Sequence, residues 1–158
     1  LRKSDPKSNK FDFLVYARRD IEEAIIPQSV SIILSNAFDE CTQLEKVSIQ
    51  SNVNSIGHYA FYNCNNLKTV EFAKNSKLRY IGKHAFCSTG LINISIPHNV
   101  LIIDDFAFGN CECLEKVTIN KNSILRSIGK YAFTNTCIEH FCIPRNFEKF
   151  GEGWNFDV

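Results

Sequence analysis

The dipeptide Ala-Phe occurs five times, with its phenylalanines at Phe38, Phe61, Phe86, Phe108 and Phe133, spaced 23, 25, 22 and 25 residues apart. Such regularity constrains the fold more than any local propensity. A unit this short cannot bury an apolar face alone and must stack on its neighbours. The apolar residues between the dipeptides keep one phase. After Phe38 they are Leu44, Val47, Ile49, Val53 and Ile56, and then Leu67, Val70, Phe72, Leu78 and Ile81. Next come Leu91, Ile94, Ile96, Val100 and Ile103, followed by Leu114, Val117, Ile119, Leu125 and Ile128, and last Ile138, Phe141, Ile143, Phe147 and Phe150. None of the twenty-five is polar, in a chain only 44% apolar. A longer period lies over the first: residues 64–110 and 111–157 share 17 identities at an offset of 47. Long and short units therefore alternate, as duplication of a two-unit block would produce.

The period selects the architecture. Repeats made of helix pairs need about 33–47 residues, whereas 20–29 suits a leucine-rich repeat with one strand per coil. Segments such as Lys46 to Ile49 and Lys116 to Ile119 alternate polar and apolar residues, as a half-buried strand does. The Ala-Phe segments are too short for a stable free helix and suit a single helical turn leaning on the coil interior. The fold expected is a right-handed leucine-rich repeat solenoid of about five to six coils, with a parallel sheet on one face and short helical turns and loops on the other.

Three residues after the last strand position stand Asn52, Asn75, Asn99, Asn122 and Asn146, with Ser29 in the first coil. Turned inward, an asparagine can donate to and accept from backbone groups, so stacked coils would repeat the bond as a ladder. The alternative is that asparagine serves here only as a turn former.

The combined pattern Ile-Pro-x-x-Val-x-x-Ile-Gly-x-x-Ala-Phe-x-x-Cys-x-x-Leu-x-x-Val-x-Ile is carried by Ile26-Pro27 through Ile33, Ile56-Gly57 through Phe72, and Ile96-Pro97 through Ile119. It resembles the BspA-like leucine-rich repeats of bacterial and protist surface antigens, over about residues 21–150. The resemblance implies a cell-surface or secreted protein that binds a protein or glycan ligand, such as a host-cell or matrix component. Three departures stand out. Asp104 replaces the recurrent glycine, the third and fifth Ala-Phe units lack the cysteine, and the pattern lapses at Gly151-Glu152-Gly153-Trp154.

Residues 1–20 form a polar flank with a candidate capping strand at 11–16, residues 21–150 the repeats, and 151–158 a tail or truncated coil. Trp154 and Phe156 could cover the open end of the stack. The 158 residues carry 18 basic and 17 acidic side chains, a formal charge of +1, which argues against nucleic acid as a partner. No apolar run is long enough to span a membrane. With no methionine, even at position 1, the chain is expected to be a fragment or a processed product.

Nothing in the residue pattern calls for a cofactor, a metal or catalysis. Cys41, Cys64 and Cys111 share one column, where a small side chain packs well. They are read as packed thiols, with a Cys41–Cys64 bridge as the alternative, since successive coils stack about 4.8 Å apart. Cys111-x-Cys113 has no second pair at zinc-ligand spacing. His140 and Cys142 fall on one side of their segment, but no third group orients the imidazole. The expectation is a non-enzymatic module.

What remains is the outward face of the strands. One exposed column should run Glu23, Lys46, Thr69, Asn93, Lys116, His140, and the next Ile25, Ser48, Glu71, Ser95, Thr118, Cys142. Together they would form one continuous surface of the kind solenoids use to hold other macromolecules. The polar members of both columns are the candidate binding residues. The alternatives are a merely solvated sheet face, in a stack that serves as a scaffold within a longer protein, or a face shielded by a glycan on the sequon Asn93-Ile94-Ser95.

Overall fold

The computed structural model describes residues 1–3, 7, 12–145 and 147–153. Short strands follow the alternating segments of every coil. In chain order they are β1 (Phe13–Leu14), β2 (Glu23–Ile26), β3 (Ile32–Ile33), β4 (Lys46–Ile49), β5 (Ser55–Ile56) and β6 (Thr69–Phe72). They continue with β7 (Tyr80–Ile81), β8 (Asn93–Ile96), β9 (Ile102–Ile103), β10 (Lys116–Ile119), β11 (Ser127–Ile128) and β12 (Lys149–Phe150). The four-residue strands make the front face and the two-residue strands a second face. All named pairs are parallel. The result is a leucine-rich repeat solenoid of about six turns. Among the described residues, no helix is long and apolar enough to cross a membrane.

The second face is a seven-stranded ladder in the order β1-β3-β5-β7-β9-β11-β12. Phe13 and Leu14 open it by pairing with Ile32 and Ile33, and Arg2 bridges Phe13 from the other side. Phe11, Trp154 and Phe156, also read as end cover, lie outside the described residues.

The core is the set of columns expected from the repeat. Twenty of the twenty-five apolar positions are buried, and Phe72, Ile119, Ile143, Phe147 and Phe150 pack partly buried against them. The five Ala-Phe rings stack along the axis with centroids 4.7, 5.0, 5.2 and 5.1 Å apart.

The Ala-Phe segments are paired turns rather than the expected helical turns. In each coil the residue before alanine and the second residue after phenylalanine are left-handed, as at Asn36 (φ 61°) and Glu40 (φ 57°), or His84 (φ 56°) and Ser88 (φ 58°). Left-handed residues cannot propagate an α-helix. Their N–H groups turn along the stack axis instead: Asn36 and Glu40 donate to the carbonyls of His58 and Tyr62 at 3.0 and 2.8 Å, with Phe38 donating to Ala60 between them at 2.7 Å. The third face is thus hydrogen-bonded from coil to coil, which offsets the conformational cost of its left-handed positions.

The asparagine column also needs correction. Asn75 and Asn122 are exposed, and no inward ladder forms. Counting from the strand end misregisters the long coils, because their two extra residues fall between that end and the next buried residue. The bond that does repeat is a donor onto a corner carbonyl of the preceding coil. In the short coils the donor is a side chain, with Asn52 Nδ2 on the Gln28 carbonyl and Asn99 Nδ2 on the Ser76 carbonyl, both at 2.8 Å. In the long coils the extra residues carry the backbone itself into place, and the N–H groups of Lys77 and Ile124 bond the carbonyls of Ser51 and His98 at 2.9 and 3.1 Å. Asn146 lies outside the described residues.

Candidate binding face

The candidate residues sit where alternation puts them, on the outward side of the front strands. Glu23, Thr69, Glu71, Asn93, Ser95, Lys116, Thr118 and His140 are exposed, and Lys46 and Ser48 are half-buried. Register pairs Glu23 with Lys46 and Lys46 with Thr69, and in the neighbouring column Ile25 with Ser48 and Ser48 with Glu71. Further along, Asn93 pairs with Lys116 and Ser95 with Thr118. Glu71 organises the first group: its carboxylate meets Lys46 Nζ at 2.8 Å and accepts from Ser48 Oγ at 3.3 Å. That bond holds the Glu71 carboxyl below its ordinary range and raises the Lys46 ammonium. Both side chains are well exposed, so the pair shapes the surface potential more than it stabilises the fold. Ile25, 73% exposed, is the large apolar side chain of this face.

The hydrogen-bonded ladder beneath this face is not continuous. It divides into a three-stranded sheet, β2-β4-β6, and a two-stranded sheet, β8-β10. The columns break between Thr69 and Asn93, and again beyond Lys116, where only a single bridging residue, His140, remains. Both lapses fall at coils whose connection from the Ala-Phe ring to the next buried aliphatic is one residue short: Phe86 to Leu91 and Phe133 to Ile138, against Phe61 to Leu67 and Phe108 to Leu114. The shorter path keeps the inward phase, since Ile94 and Ile96 stay buried, but β8 is not hydrogen-bonded to β6 as a ladder. At the first lapse the chain passes so near coil three that a Cβ on Gly90 would lie 2.4 Å from the Asn65 carbonyl oxygen. A hollow of about 200 Å³ opens between Phe72, Ala73, Ser95 and Ile96. A polar depression of about 420 Å³ lies between Asn65, Thr89, Gly90, Asn110 and Glu112.

The two shortened units are also the ones that lack the cysteine. Thr89 and Thr136 occupy the vacated places, each donating its hydroxyl to the carbonyl of its own coil's phenylalanine at 2.9 Å. Cys64 and Cys111 instead donate their thiols to Phe38 and Phe86 of the preceding coil at 3.0 and 3.1 Å. Sequence reasoning passed over the threonines, although Thr89 and Thr136 are one of the identities at offset 47. The buried corner serines Ser51, Ser76 and Ser123 were passed over likewise. Their hydroxyls serve the corner, Ser76 and Ser123 accepting from the N–H groups of Leu78 and Leu125 at 3.3 and 3.2 Å.

All seven cysteines are free thiols in the structure. Cys41 is buried beside Cys64, with Arg19 Nη1 3.3 Å from its sulfur; the neighbouring Cys64 thiol first and the Arg19 guanidinium after it bring the Cys41 pKa down to about 6, while that of Cys64 is raised. On the turn face a second aromatic column, Tyr59–His84–Phe106–Tyr131, stacks at 4.7, 4.9 and 5.1 Å. Ring faces are turned to one another there, so ring edges meet solvent. Among the described residues, no three His, Cys, Asp or Glu side chains are grouped to hold a metal ion.

A profile of the BspA type leucine rich repeat region matches residues 31–156 in six copies. The chain belongs to this family. Among solved structures, this BspA-type chain is similar to the pneumococcal vaccine antigen PcpA, with a TM-score of 0.76 and 25% identity over 90% of this chain and 40% of that one. It is also similar to a leucine rich cell surface protein from Faecalibacterium prausnitzii, with a TM-score of 0.57 and 26% identity over 84% of this chain and 44% of that one. A leucine-rich repeat protein from Bacteroides capillosus aligns with a TM-score of 0.59 and 29% identity over 68% of this chain and 86% of that one. The chain thus spans less than half the length of the first two. No curated protein sequence matches it.

Proposed function

We propose that the chain is a non-enzymatic binding module of a cell-surface or secreted protein, and that it holds a protein or glycan ligand on the front face. The observation that carries this reading is the division of labour along the front strands. Inward residues such as Val47, Ile49, Ile94 and Ile96 are buried in the core, while the outward residues beside them are exposed and have no part in it. A rigid backbone that presents side chains in this way binds with little conformational entropy to lose. The likeness to a vaccine antigen and a cell surface protein supports the location.

The test is charge reversal on the longest polar column, Lys46→Glu with Lys116→Glu, assayed as binding of the purified chain to host cells, matrix proteins and immobilised glycans. Circular dichroism serves as the folding control. Weaker binding by a folded variant is the expected result, because surface charge acts mainly on association. Reversal at Lys46 also sets a third carboxylate beside Glu23 and Glu71, which sharpens the change in potential. Unchanged binding would move the site off this face, and no binding by the unaltered chain would favour a scaffold role.

A further inference from the structure

We propose that Cys113 and Cys137 are a redox-active pair that closes into a disulfide joining the fifth and sixth coils. Four of the seven cysteines, Cys41, Cys64, Cys87 and Cys111, are buried, and three, Cys113, Cys137 and Cys142, are exposed. Cys113 stands immediately before Leu114, and Cys137 immediately before Ile138, the equivalent buried residue one coil later. The two therefore share a column in adjacent coils.

Two hydrogen bonds hold Cys137 over Cys113. The Cys137 N–H donates to the Leu114 carbonyl at 3.0 Å, and its thiol donates to the Glu112 carbonyl at 3.0 Å. Those carbonyls flank Cys113 on both sides. A peptide oxygen lies ~2.8 Å from the next Cα, which places the Cys137 sulfur within roughly 6 Å of the Cys113 Cα. Stacked coils also set the two Cα atoms within the range a disulfide spans. Closing the bond turns the Cys113 side chain from the depression it lines with Thr89 and Gly90 toward the sixth coil.

The pairing meets a local need. Here the front ladder has shrunk to a single bridging residue, so the sixth coil is held across this face by fewer main-chain bonds than the second, third or fifth. A covalent link at Cys113 and Cys137 ties two coils where front-face hydrogen bonding is thin, and constrains the unfolded chain as well.

A small-molecule disulfide is a sufficient oxidant. The thiolate of one cysteine attacks one of its sulfurs, forming a mixed disulfide and expelling a thiolate. The second cysteine's thiolate then attacks the protein-bound sulfur and expels the other half. Two S–H bonds are lost and one S–S bond is gained. Two electrons pass to the oxidant, which leaves as two thiols carrying the two protons.

The experiment equilibrates the full chain with oxidised and reduced glutathione, quenches with acid, blocks remaining thiols with N-ethylmaleimide and digests after glutamate. Cleavage after Glu112, Glu115 and Glu139 places Cys113, Cys137 and Cys142 on separate peptides. The expected product is Cys113–Glu115 joined to Lys116–Glu139 and separated by dithiothreitol. The oxidised chain should also melt at a higher temperature than the reduced one. Cys142→Ser should leave both results unchanged, and Cys113→Ser or Cys137→Ser should abolish them. Serine can still donate to the Glu112 carbonyl, so loss of the link in folded Cys137→Ser reports the missing sulfur. Full alkylation of both cysteines in the oxidising mixture would overturn the proposal. So would a Cys137–Cys142 link, a link between chains, or only mixed disulfides with glutathione.

Discussion

Truncating Phe86 to alanine tests whether the ring column is the spine of the solenoid. Phe86 is fully buried and stacks on Phe61 at 5.0 Å and on Phe108 at 5.2 Å, nearly parallel to both. Removing a buried phenylalanine side chain costs about 3–5 kcal/mol in transfer and cavity terms. Each stacked pair accounts for about 0.5–1.5 kcal/mol, so a ring with two partners belongs near the upper end. Phe38 has one stacked neighbour, Phe61 at 4.7 Å, and should fall nearer the lower end. Phe86→Leu keeps most of the volume while removing both stacks, which predicts an intermediate loss of about 1–2 kcal/mol. Against a total stability of about 5–15 kcal/mol, Phe86→Ala should leave the fold marginal. Urea unfolding followed by circular dichroism gives the midpoint and slope. A second transition would show the coils before and after position 86 uncoupling, as nearest-neighbour stacking implies. A Phe86→Ala loss below about 2 kcal/mol, or a Phe38→Ala loss equal to it, would refute the ring column as the continuous core.

Asn99→Ala removes the donor to the Ser76 carbonyl and should cost about 1–2 kcal/mol, whereas Asn75→Ala, at an exposed turn, should stay within about 0.5 kcal/mol; equal effects in thermal melts would count against the alternating corner bond. Gly90→Ala places a Cβ 2.4 Å from a backbone oxygen and should lower stability by about 1–3 kcal/mol, while Gly109→Ala, with no atom nearer than 3.3 Å, should be close to neutral in the same assay. His84 lies between the rings of Tyr59 and Phe106, where burial first and Lys83 second lower its affinity for a proton against the pull of Asp105 and Asp104. The unfolded chain, near 6.5, takes up the proton first, so stability should fall as pH drops through 6.5 toward the folded value, and His84→Phe should flatten that slope in melts between pH 7 and 5.

Coil number, the buried columns and the outward position of Lys46, Thr69, Asn93 and Lys116 were legible in the residues, because burial repeats with the coil and alternation fixes which side a strand residue faces. Periodicity carries that information through side-chain chemistry alone. The tertiary structure decided what passes between coils. The side chains of Asn52 and Asn99 bond the coil before them while those of Asn75 and Asn122 stay exposed, because two added residues let the main chain of Lys77 and Ile124 reach the equivalent acceptors. The front ladder breaks before Asn93 although Ile94 and Ile96 keep their inward phase. Side-chain phase reports only which way a strand residue faces. Hydrogen-bond register depends on where donor and acceptor stand across a gap of about 4.8 Å, and no column of residue types records it.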